Sequence, residues 1–307
     1  MTYRTHDVAV DGGTVRVGDW GPAEPGSPAF PTVIAVHGVT ASHLAWASVA
    51  GALSKSLPQV RLVAPDLRGR GRSAGLPGPY GMARHAEDLE AVIEALELPA
   101  AILLGHSMGG FVAVVAAHLF PDRFSDLLLI DGGLPLALPE GVSKEDLLEA
   151  TLGPAARRLS MTFPDRATYL EFWKAHPAFA ADPGGDYLQC LTDYADYDLT
   201  GTEPHLRASA SLEAVKQDSM DLYGGGVVLE ALGALKKPVT LLTAPQGLFN
   251  EVPGLYSPSQ IERWRAELPA ATIQEVPAVN HYTIVMGQAG ASAIAGEVLR
   301  LAGALKP

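Results

Sequence analysis

Apolar residues along this chain follow two rhythms. Short continuous apolar runs at 32–36, 60–64, 101–104, 127–130 and 239–242 read as strands buried on both faces. Between them the spacing turns helical. In 85–96 the apolar residues Ala86, Leu89, Val92, Ile93 and Leu96 recur at helical intervals, and 46–57, 111–119 and 291–305 also read as helices. Residues 272–276 add a late strand. Near the start, two alternating runs in 8–19 flank Asp11-Gly12-Gly13, which predicts a β-hairpin turning on glycine. Strands alternating with helices predict an α/β fold on a doubly wound, mostly parallel sheet.

One interval breaks the rhythm. After the strand at 127–130, roughly 100 residues pass before the next convincing strand, too many for a structureless loop inside a compact domain. The pattern predicts a folded insertion, a helical cap over 133–231, with the core formed by 1–132 and 232–307. Helix starts are legible inside it. Ser143 and Asp146 have capping spacing, Asp165 precedes Tyr169-Leu170 and Phe172-Trp173, and Ser211 opens a helix that runs to about Tyr223, before Gly224-Gly225-Gly226. Residues 21–31, rich in Pro, Gly and Ala, read as a surface loop.

The strand at 101–104 runs into Gly105-His106-Ser107-Met108-Gly109-Gly110, and a helix follows. Strand, tight turn and helix around G-x-S-x-G place Ser107 on a strained bend with its hydroxyl clear of the sheet. The two glycines let the backbone turn and pack closely. The helix N-terminus beside Ser107 carries unpaired N–H groups and a positive dipole end, suited to an oxyanion. Asp131 ends the strand after the serine helix, and a right-handed crossover makes that strand a neighbour of the serine strand, about 4.8 Å away.

Four stretches occur in an order that resembles the α/β-hydrolase family. They are His37-Gly38 after an apolar strand, Asp66-Leu67-Arg68-Gly69-Arg70-Gly71-Arg72-Ser73, the serine turn, and Asn280-His281-Tyr282. The resemblance covers most of 31–131 and resumes from about 238. It implies that Ser107 is a nucleophile, that His281 is its general base, and that the backbone N–H groups of Val39 and Met108 form the oxyanion hole. His37 then holds its loop by a hydrogen bond, and the arginine- and glycine-rich loop is scaffolding, since it lacks the spacings of phosphate-binding loops. The family usually takes its acid from the loop after the strand at 239–242. Here that loop reads Thr243-Ala244-Pro245-Gln246-Gly247-Leu248-Phe249-Asn250-Glu251, with no carboxylate before Glu251. Some members place the acid where Asp131 stands. The candidates are therefore Asp131, with Glu251 as the alternative, or a Ser–His dyad without a direct acid.

Composition narrows the partners. At 307 residues, 48% hydrophobic and 18% charged, the chain can bury a full core, and its single cysteine, Cys190, excludes a disulfide framework and a thiolate zinc cluster. No leader-like or membrane-length apolar stretch is present, which points to a cytoplasmic protein. Of the net charge of −12, most lies in 133–231, which holds 16 acidic and 7 basic residues together with nine of the 21 aromatic ones. Such a field disfavours nucleic acid and anionic membranes. With an apolar pocket beneath it, the expected substrate is a small molecule, neutral and partly hydrophobic. The chain reads as a cofactor-free serine hydrolase acting on a carboxylic ester, thioester or lactone. The alternatives are a cofactor-free lyase or acyltransferase on the same residues, or a ligand-binding regulator on the same scaffold. Ser107 excludes an aspartate nucleophile at that turn.

Overall fold

The computed structural model describes residues 1–22, 31–137, 157–182 and 184–304. Strands β1 (Thr2–Val10) and β2 (Gly13–Gly21) form the expected hairpin, with Gly12 at a φ of 87° in the turn. The continuous apolar runs become β3 (Thr32–Val36), β4 (Arg61–Pro65), β5 (Ala101–His106), β6 (Phe124–Ile130) and β9 (Val239–Thr243), and β10 (Thr272–Glu275) closes the edge. The sheet order is β1-β2-β4-β3-β5-β6-β9-β10, parallel from β4 to β10 and antiparallel only where β2 meets β4 and β1.

Helices cover both faces, as continuous apolar strands require. The helices α2 (Met82–Ala95) and α3 (Met108–Leu119) bury Leu89, Val92, Phe111 and Val115 in one core, while α1 (Ala47–Ser56) and α9 (Gln288–Ala304) bury Val49, Leu53, Ile294 and Val298 in the other. Helix α2 begins three residues earlier than its sequence pattern, because its N-terminus is capped from a distance. Asp218 Oδ1 accepts the Gly81 N–H at 2.6 Å and Asp221 Oδ2 accepts that of Met82 at 3.2 Å. Both carboxylates stand over 130 positions along the chain. They satisfy donors that a helix start otherwise leaves unpaired.

Between β6 and β9 lie α4 (Arg166–Lys174), α5 (Pro177–Ala180), α6 (Leu188–Asp198), α7 (Leu212–Ser219) and α8 (Gly226–Ala234). Asp165 caps α4 and Ser211 caps α7, as their positions predict. The helix begun at Ser211 ends at Ser219 and tightens into a 3₁₀ turn, Met220–Tyr223, before Gly224 at a φ of 92°. A two-stranded ribbon, β7 (Leu199–Thr200) with β8 (Arg207–Ala208), accompanies these helices. It is too short to leave a period-two signal. Helix α8 buries Val228, Ala231 and Leu232 in the same core as α3. The expected helix start at Ser143 and most of the loop at 21–31 lie outside the described residues. Cys190 is buried, which pushes its thiol pKa up. Among the described residues no helix is long and apolar enough to cross a membrane.

Buried histidines stitch the loops at the C-terminal ends of the strands. His37 Nε2 accepts the Leu67 N–H at 3.0 Å, so Nδ1 carries the proton and donates to the Gly38 carbonyl at 2.8 Å. Burial lowers its pKa to about 4. Burial also holds His106 well below its ordinary range and takes His176 to about 4. A histidine whose folded pKa lies below its unfolded value stabilises the fold above about pH 6.5, and that contribution is lost as pH falls toward the folded pKa. His37 alone should cost about 3 kcal/mol between pH 6.5 and 4. Urea unfolding at pH 7 and pH 4.5 is expected to show a clear drop at the lower pH, diminished in His37→Gln; equal stability at both would contradict it.

Candidate active site

Ser107 joins β5 directly to α3 with a φ of 54° and a ψ of −125°, a conformation that costs a non-glycine residue on the order of 1–3 kcal/mol. The main chain is closely packed around it. A Cβ on Gly105 would collide with the Gly109 carbonyl, one on Gly109 with the Val36 carbonyl, and one on Gly132 with the Ser107 backbone. The Ser107 N–H donates to Ile130 O at 3.0 Å and its carbonyl accepts the Gly110 N–H at 3.0 Å. The side chain stays partly exposed while its neighbours on both sides are buried.

His281 lies on the loop after β10. Its Nδ1 is 2.6 Å from Asp131 Oδ2. Asp131 Oδ1 accepts the Ala244 N–H at 3.1 Å, and the Asp131 N–H donates to Leu242 O at 2.7 Å. Both side chains are buried. With Nδ1–H on the carboxylate, Nε2 is the basic nitrogen of a neutral ring. Ser107 and His281 line one cavity of about 40 Å³ together with Val39, Tyr194, Leu248, Tyr282 and Met286. Among the described residues no hydrogen bond joins Ser107 Oγ to His281, a contact that commonly tightens only with substrate in place. Glu251 is turned elsewhere: it is exposed and accepts the Phe249 N–H at 2.7 Å, closing its own loop.

Val39 lines the cavity with Ser107, and Met108 follows Ser107 in the chain. Met108 opens α3, so its N–H has no partner within the helix. The Gly38–Val39 peptide is held through its carbonyl by His37 Nδ1 and by the Ala41 N–H at 3.1 Å. A Cβ on Gly38 would lie 3.5 Å from Ser107 Oγ, which places this peptide against the hydroxyl. The Gly38–Val39 peptide and the first residue of α3 thus both adjoin Ser107.

Two supports escaped the sequence reading. His106 donates from Nε2 to the His281 carbonyl at 2.8 Å and packs 4.7 Å from its ring; burial, then His281, keeps it neutral. Among the described residues its buried Nδ1 has no partner. Adjacency to Ser107 at a strand end was the available signal. Arg158 is buried against Asp198, Tyr169 and the face of Trp173, 4.9 Å away, and reaches Thr40 O at 3.5 Å. Nothing local marks an arginine whose carboxylate lies 40 positions on. Among the described residues no three histidine, cysteine or acidic side chains converge to hold a metal.

The model of the alpha/beta hydrolase fold matches residues 31–180. Lipase LipV of Mycobacterium tuberculosis (strain ATCC 25618 / H37Rv) is 31% identical over 137 residues, 45% of this chain and 46% of that one. The first curated relatives are matched over less than half their own length, 29% to 46%. Among solved structures, the thioesterase domain from the curacin biosynthetic pathway superposes with a TM-score of 0.73 at 25% identity, covering 97% of this chain and 100% of that one. E-2-(Acetamidomethylene)succinate hydrolase does so with a TM-score of 0.76 at 20% identity, over 98% and 99%. With the eight-stranded sheet and its strand order, these matches establish that the chain has the α/β-hydrolase fold.

Proposed function

We propose that this chain is a serine hydrolase of small carboxylic esters, thioesters or lactones, working through an acyl-enzyme without a cofactor. One observation carries the reading: a buried carboxylate, Asp131, bonds Nδ1 of His281 at 2.6 Å, and His281 lines the same cavity as Ser107. His281 Nε2 takes the Ser107 proton as Oγ attacks the acyl carbon, and the carbonyl oxygen becomes an anion facing the N–H groups of Val39 and Met108. Asp131 fixes the tautomer and stabilises the imidazolium. The intermediate collapses, His281 gives the proton to the leaving alcohol or thiol, and the acyl group stays on Ser107. Water then enters, loses a proton to Nε2 and attacks the acyl carbon, releasing the acid and restoring Ser107.

The cavity of about 40 Å³ is lined by Ala45, Leu248, Val285 and Met286 beside the rings of Tyr194 and Tyr282. Its apolar wall suits an uncharged acyl group, and its size a short one of roughly two to four carbons. The segment at 133–231, as a cap, supplies Tyr194 to that wall. LipV is named a lipase and the curacin domain a thioesterase, which is consistent with acyl transfer to water here.

Ser107→Ala should abolish para-nitrophenyl ester hydrolysis and labelling by a fluorophosphonate while leaving the circular dichroism spectrum unchanged. Labelling that persists would move the nucleophile to another residue. Asp131→Asn should lower kcat by about 10⁴, and Glu251→Gln should leave it within about twofold; the opposite ranking would hand the acid to Glu251. Across a series of ester chain lengths, kcat/KM is expected to peak at acetyl to butyryl, and Met286→Ala to move the peak to longer chains. A flat profile, untouched by Met286→Ala, would dissociate this cavity from the acyl group.

A further inference from the structure

Arg70 is fully buried, and its guanidinium is shared between the inserted segment and both residues assigned to the oxyanion hole. Nε donates to the Val39 carbonyl at 2.9 Å, and Nη2 lies 3.8 Å from Met108 Sδ. Nη1 donates to the Arg68 carbonyl at 2.9 Å and is ion-paired with Asp218 of α7. Asp218 is itself fully held: Oδ1 accepts the Gly81 N–H, and Oδ2 faces His85 Nε2 at 3.0 Å. Helix α7 docks just beside this group, where the Ser211 N–H donates to Gly69 O at 2.8 Å and Ala214 fills the space a Gly69 side chain would take.

Val39 joins two peptide planes, one of which carries its N–H. The one that carries it is fixed by His37 and Ala41, and the next one by Arg70. Rotation of the Val39–Thr40 peptide is thereby tied to a charged donor, and that donor's direction is set by a carboxylate on the inserted segment. Hydrogen bonds to a charged group are roughly twice as strong as neutral ones, so this is a firm hold. Arg68 offers the comparison within the same loop. It is equally buried, yet its side chain binds Asp88, Pro77 O and Asp11 O and none of its bonds reaches Val39 or Met108.

We propose that Arg70 is a positioning residue that aims the Val39 donor and braces the Met108 side chain beside it, and that Asp218 makes this aim depend on the docking of α7. The inference rests on the serine hydrolase reading above. A donor displaced from the oxyanion weakens the transition state and spares substrate binding, and outright loss of one donor costs about 10² to 10³ in kcat.

The test measures kcat per active site titrated with a fluorophosphonate, KM for a short ester, and inhibition by an alkylboronic acid, whose tetrahedral adduct places an oxygen in the hole. Arg70→Lys, which retains a charge for Asp218, should lower kcat per titrated site about 10- to 100-fold, leave KM within about twofold, and weaken the boronic acid by a factor similar to the kcat loss. Asp218→Asn should act in the same direction and supplies the same readouts if the lysine variant does not fold. The double variant should be no worse than the poorer single one, because both act through one guanidinium. Arg68→Lys should lower the melting temperature alone. An Arg70→Lys enzyme with parental kcat per site and parental boronic acid affinity would overturn the proposal, as would an equal kcat loss in Arg68→Lys. A parent protein that no fluorophosphonate labels at Ser107 would instead sink the hydrolase reading.

Discussion

Three stretches of main chain meet around Ser107 with no room for a Cβ between them. The end of β3 presses on Gly109, the turn after β6 presses on the Ser107 backbone, and Gly105 lies under the first turn of α3. The serine sits in this crossing at a positive φ, and the contacts around it admit no side chain at Gly105, Gly109 or Gly132. The same crossing sets the other positions. It brings the Gly38–Val39 peptide against the hydroxyl from one side and Asp131 toward the sheet edge from the other, so the geometry of the site follows from strand order and glycine placement.

Around that crossing, the polar groups are buried and almost all matched. Arg68 pairs with Asp88, Arg70 with Asp218, Arg158 with Asp198, and His43 with Asp66 at 2.7 Å. Asp66 also accepts the Tyr197 hydroxyl at 2.6 Å and the Arg72 N–H at 2.8 Å; burial pushes its pKa up, but His43, through its charge and hydrogen bonds, holds the carboxyl down at about 2. Buried pairs of this kind add little net stability, since desolvation offsets attraction, but removing one partner is severe. Their effect is to specify how the segment between β6 and β9 sits on the sheet, because Asp198, Tyr197 and Asp218 all come from it.

The sheet was legible in the sequence because its strands are buried on both faces and read as unbroken apolar runs. The edge strand β10, largely exposed, was legible mainly through its place before Asn280-His281-Tyr282. Ser107 and His281 were legible from local pattern and from chain order. Asp131 required a topological step, that consecutive parallel strands lie side by side, and the register of β5 with β6 bears out that adjacency, pairing His106 with Ile130. What local pattern could not reveal are relations between distant charges. The early start of α2, the partner of Arg158 and the reach of Arg70 each depend on a carboxylate many turns away, and a charged residue on a helix looks alike whether it faces water or a buried guanidinium.

The carboxylate that meets His281 is anchored by the main chain of the segment after β9, since Ala244 contributes only its N–H. A backbone donor is indifferent to side-chain identity, proline excepted. The stretch from Pro245 to Glu251 is thereby released from supplying a group to the imidazole, an obligation that a carboxylate in that loop would carry. For evolution, and for the engineer, this makes the loop a place where sequence can drift. Leu248 already faces the cavity from there, so changes in the loop can reshape what the cavity admits without disturbing the carboxylate bonded to the histidine.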